Sequence, residues 1–141
     1  MTQEDKRYLQ EKLSLQRDKE LLMKDLCARL PYGVKVLVDN KHWCDFDGHT
    51  PSKITFDNSY RLILLGVDLG YVKPYLFPFE SMSEEATREF NATLEWITTA
   101  DGYSESVMTY DSFDCLNKHH IDYRGLIEKD LAKDATGLNI Y

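Results

Sequence analysis

Four histidines and three cysteines carry most of the reactive chemistry in this 141-residue chain, and the histidines fall in two short segments. His42 and His49 flank Cys44, Asp45 and Asp47, while His119 and His120 follow Cys115. Cys115 and His119 are four residues apart, so a helix places both on one face. Zinc takes four N or S ligands in a tetrahedron, and Cys44, His49, Cys115 and His119 supply such a set if the two segments meet. The spacing His-x-Cys-x4-His matches no familiar finger. The plainer reading buries the thiols in the core, where free Cys is common, and leaves His49 and His120 on loops. The plainer reading is preferred.

The stretch from Lys118 to Arg124 is a second candidate. Lys118, His120, Asp122, Tyr123 and Arg124 combine acid, base and cation in a few residues. A histidine oriented by Asp122 can serve as a general base, and Lys118 with Arg124 can grip a phosphate. Adjacent polar residues on an exposed turn look the same. The chain contains no Gly-x-Ser-x-Gly, no phosphate loop, no His-Glu-x-x-His and no Gly-x-Gly-x-x-Gly. The cheap argument for an enzyme is therefore missing. Aromatics are the third feature: nine Tyr, six Phe and two Trp. Tyr71, Tyr75, Phe77 and Phe79 alternate along a segment that contains Pro74 and Pro78. Exposed, they would favour a protein interface or base stacking; the plainer and preferred reading has them cap the open side of a small core.

Composition narrows the classes. The chain is 43% hydrophobic and 29% charged, as expected of a folded protein. It has 24 acids against 17 bases, a formal net charge of −7. That sum opposes binding to nucleic acid, whose phosphates attract Lys and Arg. No run of apolar residues is long enough to span a membrane. The first residues are charged and lack the apolar core of a secretory signal. Three cysteines make a sparse and odd set, which suits reduced thiols in a cytoplasm.

These side chains need elements to hold them. Residues 3–30 read as a helix capped by Thr2, with Leu15, Leu22, Leu26 and Leu30 on one face. Its first part, residues 1–17, reads as a projecting arm or half of a broken helix. Leu9, Leu13 and Leu15 can pack internally or against a second copy, which would make a homodimer. Val34, Val36 and Val38 alternate as a half-buried strand. His42–Phe46 reads as a second strand and Ile54 with Phe56 as a third. Tyr60–Val67, almost continuously apolar, reads as a central strand. Tyr71–Phe79 is extended, but its prolines assign it to an edge or a loop. A second helix starts at Ser81 or Ser83, buries Ala86, Phe90, Leu94 and Ile97, and stops near Thr99. Residues 100–109 read as loop, and Asp111 caps a short helix. One short strand is expected near Leu126–Ile127, and residues 136–141 are expected to fray. The sum is one α+β domain over residues 1–141. It holds one mostly antiparallel sheet of four to five strands, with a long N-terminal helix and a second helix packed on it.

Two segments, Lys24–Lys35 and Leu116–Lys129, together with Tyr75–Glu84, resemble a family of small uncharacterised proteins. That family recurs in gut Bacteroidales, their mobile elements and their phages. The resemblance covers most of residues 20–135. It implies no assigned activity, cofactor or substrate, and no functional residue is carried over from it. In the family pattern an aromatic residue commonly stands at the position of Cys115, and His119 is not fixed, which counts against zinc. The charged helix before residue 18 looks like an addition.

The leading expectation is a non-enzymatic accessory protein of a phage or mobile element, acting on a host or element protein and needing no cofactor. Its binding face is expected near Tyr123 and Arg124 or on the N-terminal helix. The alternatives are a small-ligand or nucleotide binder, and a metal-dependent enzyme built on the His/Cys/Asp cluster.

Overall fold

The computed structural model describes residues 2–39, 50–54 and 59–141. Helix α1 spans Gln3–Arg29. Thr2 caps it: its hydroxyl accepts the Asp5 N–H, and the Asp5 carboxylate accepts the Thr2 N–H in return. Residues 2–17 are all exposed, and burial begins only in the second half, at Leu22, Asp25, Leu26 and Arg29. Leu15, expected on the buried face, is 60% exposed.

The main sheet has the order β2 (Ser52–Lys53), β1 (Lys35–Val38), β3 (Val72–Pro78), β6 (Ile121–Asp122), with β7 (Lys133–Asp134) also pairing to β3. Strands β1, β2 and β3 pair antiparallel. Strands β6 and β7 join β3 in parallel. A separate antiparallel pair, β4 (Glu95–Thr98) and β5 (Ser104–Val107), makes three antiparallel ladders against two parallel ones. The architecture is α+β, with antiparallel pairing predominant. Among the described residues no helix is long and apolar enough to cross a membrane.

Several elements differ from expectation. The apolar run after Tyr60 is helical: a wide π-type segment, Arg61–Gly66, leads into α2 (Val67–Leu69). Leu62, Ile63 and Val67 face the core and Leu64 and Leu65 face outward. A short continuous apolar run fits a buried helix as well as a strand, and periodicity alone does not separate them. Strand β3, expected at an edge, lies inside the sheet. Pro74 stands opposite Val36, in register with the Asp39 N–H that donates to the Tyr71 carbonyl. In that register Pro74 is a position that exchanges no N–H···O bond with β1. Pairing with β7 starts one residue later, at Tyr75. The missing N–H therefore costs no rung.

Helix α3 (Glu84–Thr93), capped by the Ser83 hydroxyl, ends well before Thr99. Trp96, Ile97, Thr98 and Thr99 are aromatic or β-branched and prefer a strand. They form β4 and its turn, and Gly102, at φ 84°, closes the turn back to β5. The expected loop over 100–109 thus contains a strand. Helix α4 (Tyr110–Lys118) is capped by Thr109, with Asp111 inside its first turn. The strand expected near Leu126–Ile127 is displaced to β6 and β7. The expected strand His42–Phe46, and Phe56 of the next, lie outside the described residues.

Two apolar clusters result. Leu22 and Leu26 of α1 pack with Val34, Val36, Val38, Leu62, Val72, Leu76 and Leu126. Phe90, Cys115, Leu116 and Ile121 form the second, under Phe77, Met82 and Tyr123. Between the clusters sits a fully buried cation. Arg29 Nε donates to Asp25 at 2.9 Å, and its other nitrogens donate to the carbonyls of Leu116 at 3.4 Å and Ile121 at 2.5 Å. The second Asp25 oxygen accepts from Arg124 at 2.7 Å. Both guanidinium groups lie over the Tyr123 ring, Arg29 at 5.4 Å and Arg124 at 4.5 Å.

The last residue is also held. The Tyr141 hydroxyl accepts the Lys35 N–H at 2.8 Å and donates to the Tyr75 carbonyl at 2.7 Å. Lys35 and Tyr75 are the next pair after Val36 and Pro74 in the β1–β3 register. The phenol therefore stands in for a ladder rung where the two backbones part.

Replacing Arg29 alone with Met leaves Asp25 half-compensated and two buried carbonyls without their donor. A loss of about 3–5 kcal/mol is expected. The double variant Asp25→Asn/Arg29→Met is expected to lose less than the sum of the singles, by more than about 1 kcal/mol. Urea denaturation of the four proteins measures the coupling; simple additivity would show that the pair is not a unit.

Candidate functional site

Among the described residues, two capped helices build the site with the densest reactive chemistry. Ser83 starts α3 and Thr109 starts α4, and hydroxyl contacts fix one helix to the other. Thr93 donates to Ser112 at 2.8 Å, and Thr109 donates to the Thr93 carbonyl at 3.0 Å. With the helices so joined, Glu89 of α3 faces Cys115 and His119 of α4. His119 Nε2 lies 2.5 Å from Glu89 Oε2, and Cys115 Sγ lies 4.0 Å from the same oxygen. The three candidate ligand atoms are all within 4.8 Å of one another. Lys118 Nζ stands 3.6 Å from Glu89.

The electrostatics follow from this grouping. The hydrogen bond to His119, with the charges of His119 and Lys118, holds the Glu89 carboxyl below its ordinary range. Burial, with the Glu89 charge beside it, pushes the Cys115 thiol up. The neutral thiol is therefore the resting form, and a cation entering the group would reverse that preference. A cavity of about 360 Å³ opens beside the cluster, lined by Thr93, Asp111, Asp114 and Lys118 among others.

The four residues expected to hold zinc divide. Cys115 and His119 come together on α4 as their spacing requires. Cys44 and His49 lie outside the described residues. Glu89 was not singled out in the sequence. No sequence signal marked it, since its meeting with Cys115 and His119 depends on how α3 docks on α4.

The five residues expected to bind a ligand are mostly engaged inside the fold. Both Asp122 oxygens accept backbone N–H groups, from Leu126 and Ile127, at 2.9 Å each. Asp122 thus closes a turn. Tyr123 donates to Asn117 at 3.0 Å, and Arg124 is the outer partner of Asp25. Lys118 points to Glu89.

His120 stands apart. Its backbone is left-handed, at φ 58°, which ends α4 and turns the chain into β6. Its ring stacks on Tyr141 at 3.7 Å, and its buried Nδ1 has no hydrogen-bond partner among the described residues. Burial, helped by the charges of Arg29, His119 and Lys35, lowers its pKa from 6.5 to about 4. Burial likewise pushes the Tyr141 phenol up to about 12. A second cavity of about 360 Å³ lies against this pair, lined also by Ser81, Ser83 and Lys118.

Because folded His120 stays neutral while the unfolded chain takes up a proton, stability falls as pH drops from 6.5 to about 4. The full effect is about 3 kcal/mol. The variant His120→Asn keeps a residue that tolerates the left-handed backbone and is expected to have a flatter profile over that window. Urea midpoints at a series of pH values compare the two, and parallel profiles would dismiss His120 as the cause.

No protein-family model, curated protein or solved structure matches this chain.

Proposed function

We propose that this chain is a non-enzymatic interaction protein that binds a basic protein surface through the β4–β5 hairpin and the start of α4. The observation that carries this reading is the exposure of large rings on a ribbon that packs on little else. Every residue of β4 is exposed, and β5 is exposed except at Val107. Trp96 is 71%, Tyr103 72% and Tyr110 91% exposed, with Ile97, Met108 and Phe113 beside them in the chain.

An isolated two-stranded ribbon is marginal in water. Trp, Tyr, Phe and Met are the residues that interface cores favour. The charge of the segment selects the partner. Residues 95–114 carry Glu95, Asp101, Glu105, Asp111 and Asp114, and no Lys or Arg. Exposed rings among carboxylates suit arginine and lysine side chains, which pair with the acids and lie over the ring faces. The same charge repels phosphate, which argues against nucleic acid as the partner. An accessory role in a phage or mobile element, exercised on a host protein in the cytoplasm, belongs to this reading through the resemblance of Lys24–Lys35 and Leu116–Lys129.

A second reading is self-association through α1, favoured by exposed Tyr8, Leu9, Leu13 and Leu15. Sedimentation of the purified protein checks it. A dimer that Leu13→Glu dissociates is expected on this reading, and a monomer at every concentration rejects it.

For the hairpin, a fluorescein-labelled polyarginine peptide is the probe, with binding followed by anisotropy. Trp96→Ala and Glu105→Lys are each expected to weaken binding by about tenfold or more. Glu11→Lys, which makes the same charge change on α1, is expected to leave it nearly unchanged. Equal losses from Glu105→Lys and Glu11→Lys would mean attraction to net charge only, and the hairpin would not be the site.

A further inference from the structure

The cluster between α3 and α4 supports an inference that uses no part of the hairpin reading. We propose that Glu89, Cys115 and His119 form a zinc site, with a carboxylate oxygen, a thiolate sulfur and an imidazole nitrogen as ligands and a fourth position open to the adjoining cavity.

The donor set argues for zinc first. A sulfur, a nitrogen and an oxygen from three side chains make a mixed, borderline set that suits Zn²⁺ and not the all-oxygen shells of Ca²⁺ or Mg²⁺. Three protein ligands with one vacancy is the arrangement of sites that keep a water or an exogenous ligand.

Geometry agrees. Bond lengths of about 2.0–2.3 Å put tetrahedral ligand atoms about 3.3–3.8 Å apart. The Cys115–Glu89 separation is 4.0 Å and the Glu89–His119 separation 2.5 Å. One pair closes slightly and the other opens by about 1 Å, within reach of side-chain rotation on two fixed helices. The two helical ligands sit at i and i+4, which turns both toward Glu89. The open side faces the cavity lined by Thr93, Asp111, Asp114 and Lys118. Lys118 is more than half exposed and can withdraw from Glu89.

The exchange balances. The Cys115 S–H bond breaks and its proton leaves to solvent, while an S–Zn bond forms. The His119 Nε2–H bond that serves the hydrogen bond to Glu89 breaks too, its proton passing to solvent while Nδ1 carries the ring proton of the neutral ligand, and one O–Zn and one N–Zn bond form. Nothing is oxidised or reduced.

Cobalt(II) is the spectroscopic probe, added to the full-length reduced protein, and zinc affinity is read by competition with a chromogenic chelator. A thiolate-to-cobalt charge-transfer band and tetrahedral visible bands are expected in the wild type. Cys115→Ser is expected to abolish the charge-transfer band, and Cys27→Ser to leave it intact. Glu89→Gln and His119→Ala are expected to raise the zinc dissociation constant by more than about tenfold, since even an outer-shell partner is worth that much. Circular dichroism confirms the fold of each variant. Glu89 is on the surface, so Glu89→Gln decides the matter if the cysteine variant fails to fold. Absence of the band in the wild type overturns the proposal. So does a band that survives Cys115→Ser, or a zinc affinity indifferent to Glu89→Gln.

Discussion

The buried guanidinium of Arg29 is the constraint around which the rest of the chain is arranged. A cation with no exposure needs every donor matched, and Arg29 finds its acceptors in Asp25 and in two carbonyls at the end of α4 and the start of β6. That requirement fixes the distance from α1 to α4, and the path of the chain from Leu116 to Arg124. Asp25 completes the arrangement by taking a second cation, Arg124, at its other oxygen. Tyr123 covers both with its ring and ties itself to Asn117. Ionic groups of this kind contribute less to net stability than their bond lengths suggest, but they penalise any arrangement that leaves one member unmatched.

This network joins two segments far apart in the chain, Lys24–Lys35 and Leu116–Lys129. Lys24–Lys35 holds Asp25 and Arg29, and Leu116–Lys129 holds their acceptors, the Tyr123 ring and Arg124. Most of the residues that looked like a ligand-gripping constellation have partners elsewhere in the fold: Asp122 in the backbone of Leu126 and Ile127, Tyr123 in Asn117 and Arg124 in Asp25. What remains outward-facing is divided along α4. Its beginning, with Tyr110 and Phe113, continues the acidic aromatic hairpin; its end, with Cys115 and His119, meets Glu89. One helix therefore serves two unlike surfaces.

Much of the backbone was legible and much of the tertiary placement was not. The Thr2 cap and the alternation of Val34, Val36 and Val38 are local signals that appear where the sequence places them, and of the two caps it offers for α3, Ser81 and Ser83, the second is used. The run Leu62–Val67 was ambiguous because an unbroken apolar stretch has no period to read. Pro74 misled because the rule against proline in strands assumes a hydrogen-bonded position, and its register with Val36 is not one. The apolar stripe Ala86, Phe90, Leu94, Ile97 fits a longer helix, but the β-branched residues after Trp96 outweigh it. At the site, the i, i+4 spacing of Cys115 and His119 was readable. Glu89 was not, because its partnership depends on how α3 docks on α4. The burial of Arg29 and Asp25 was equally hidden, since composition treats charges as surface groups.

The long-range reach of the contacts has a consequence for the order of assembly. Helix α1 is synthesised before its partners: the acceptors and second cation of its buried pair lie 87, 92 and 99 residues further on. The phenol that joins β1 to β3 comes 106 residues after Lys35. A chain still growing on the ribosome can coil α1 and pair Arg29 with Asp25, but it cannot bury Arg29 without leaving its other guanidinium donors unmatched. The nascent protein should therefore hold α1 open to solvent, as a substrate for chaperones, until the segment from Leu116 to Arg124 has been translated.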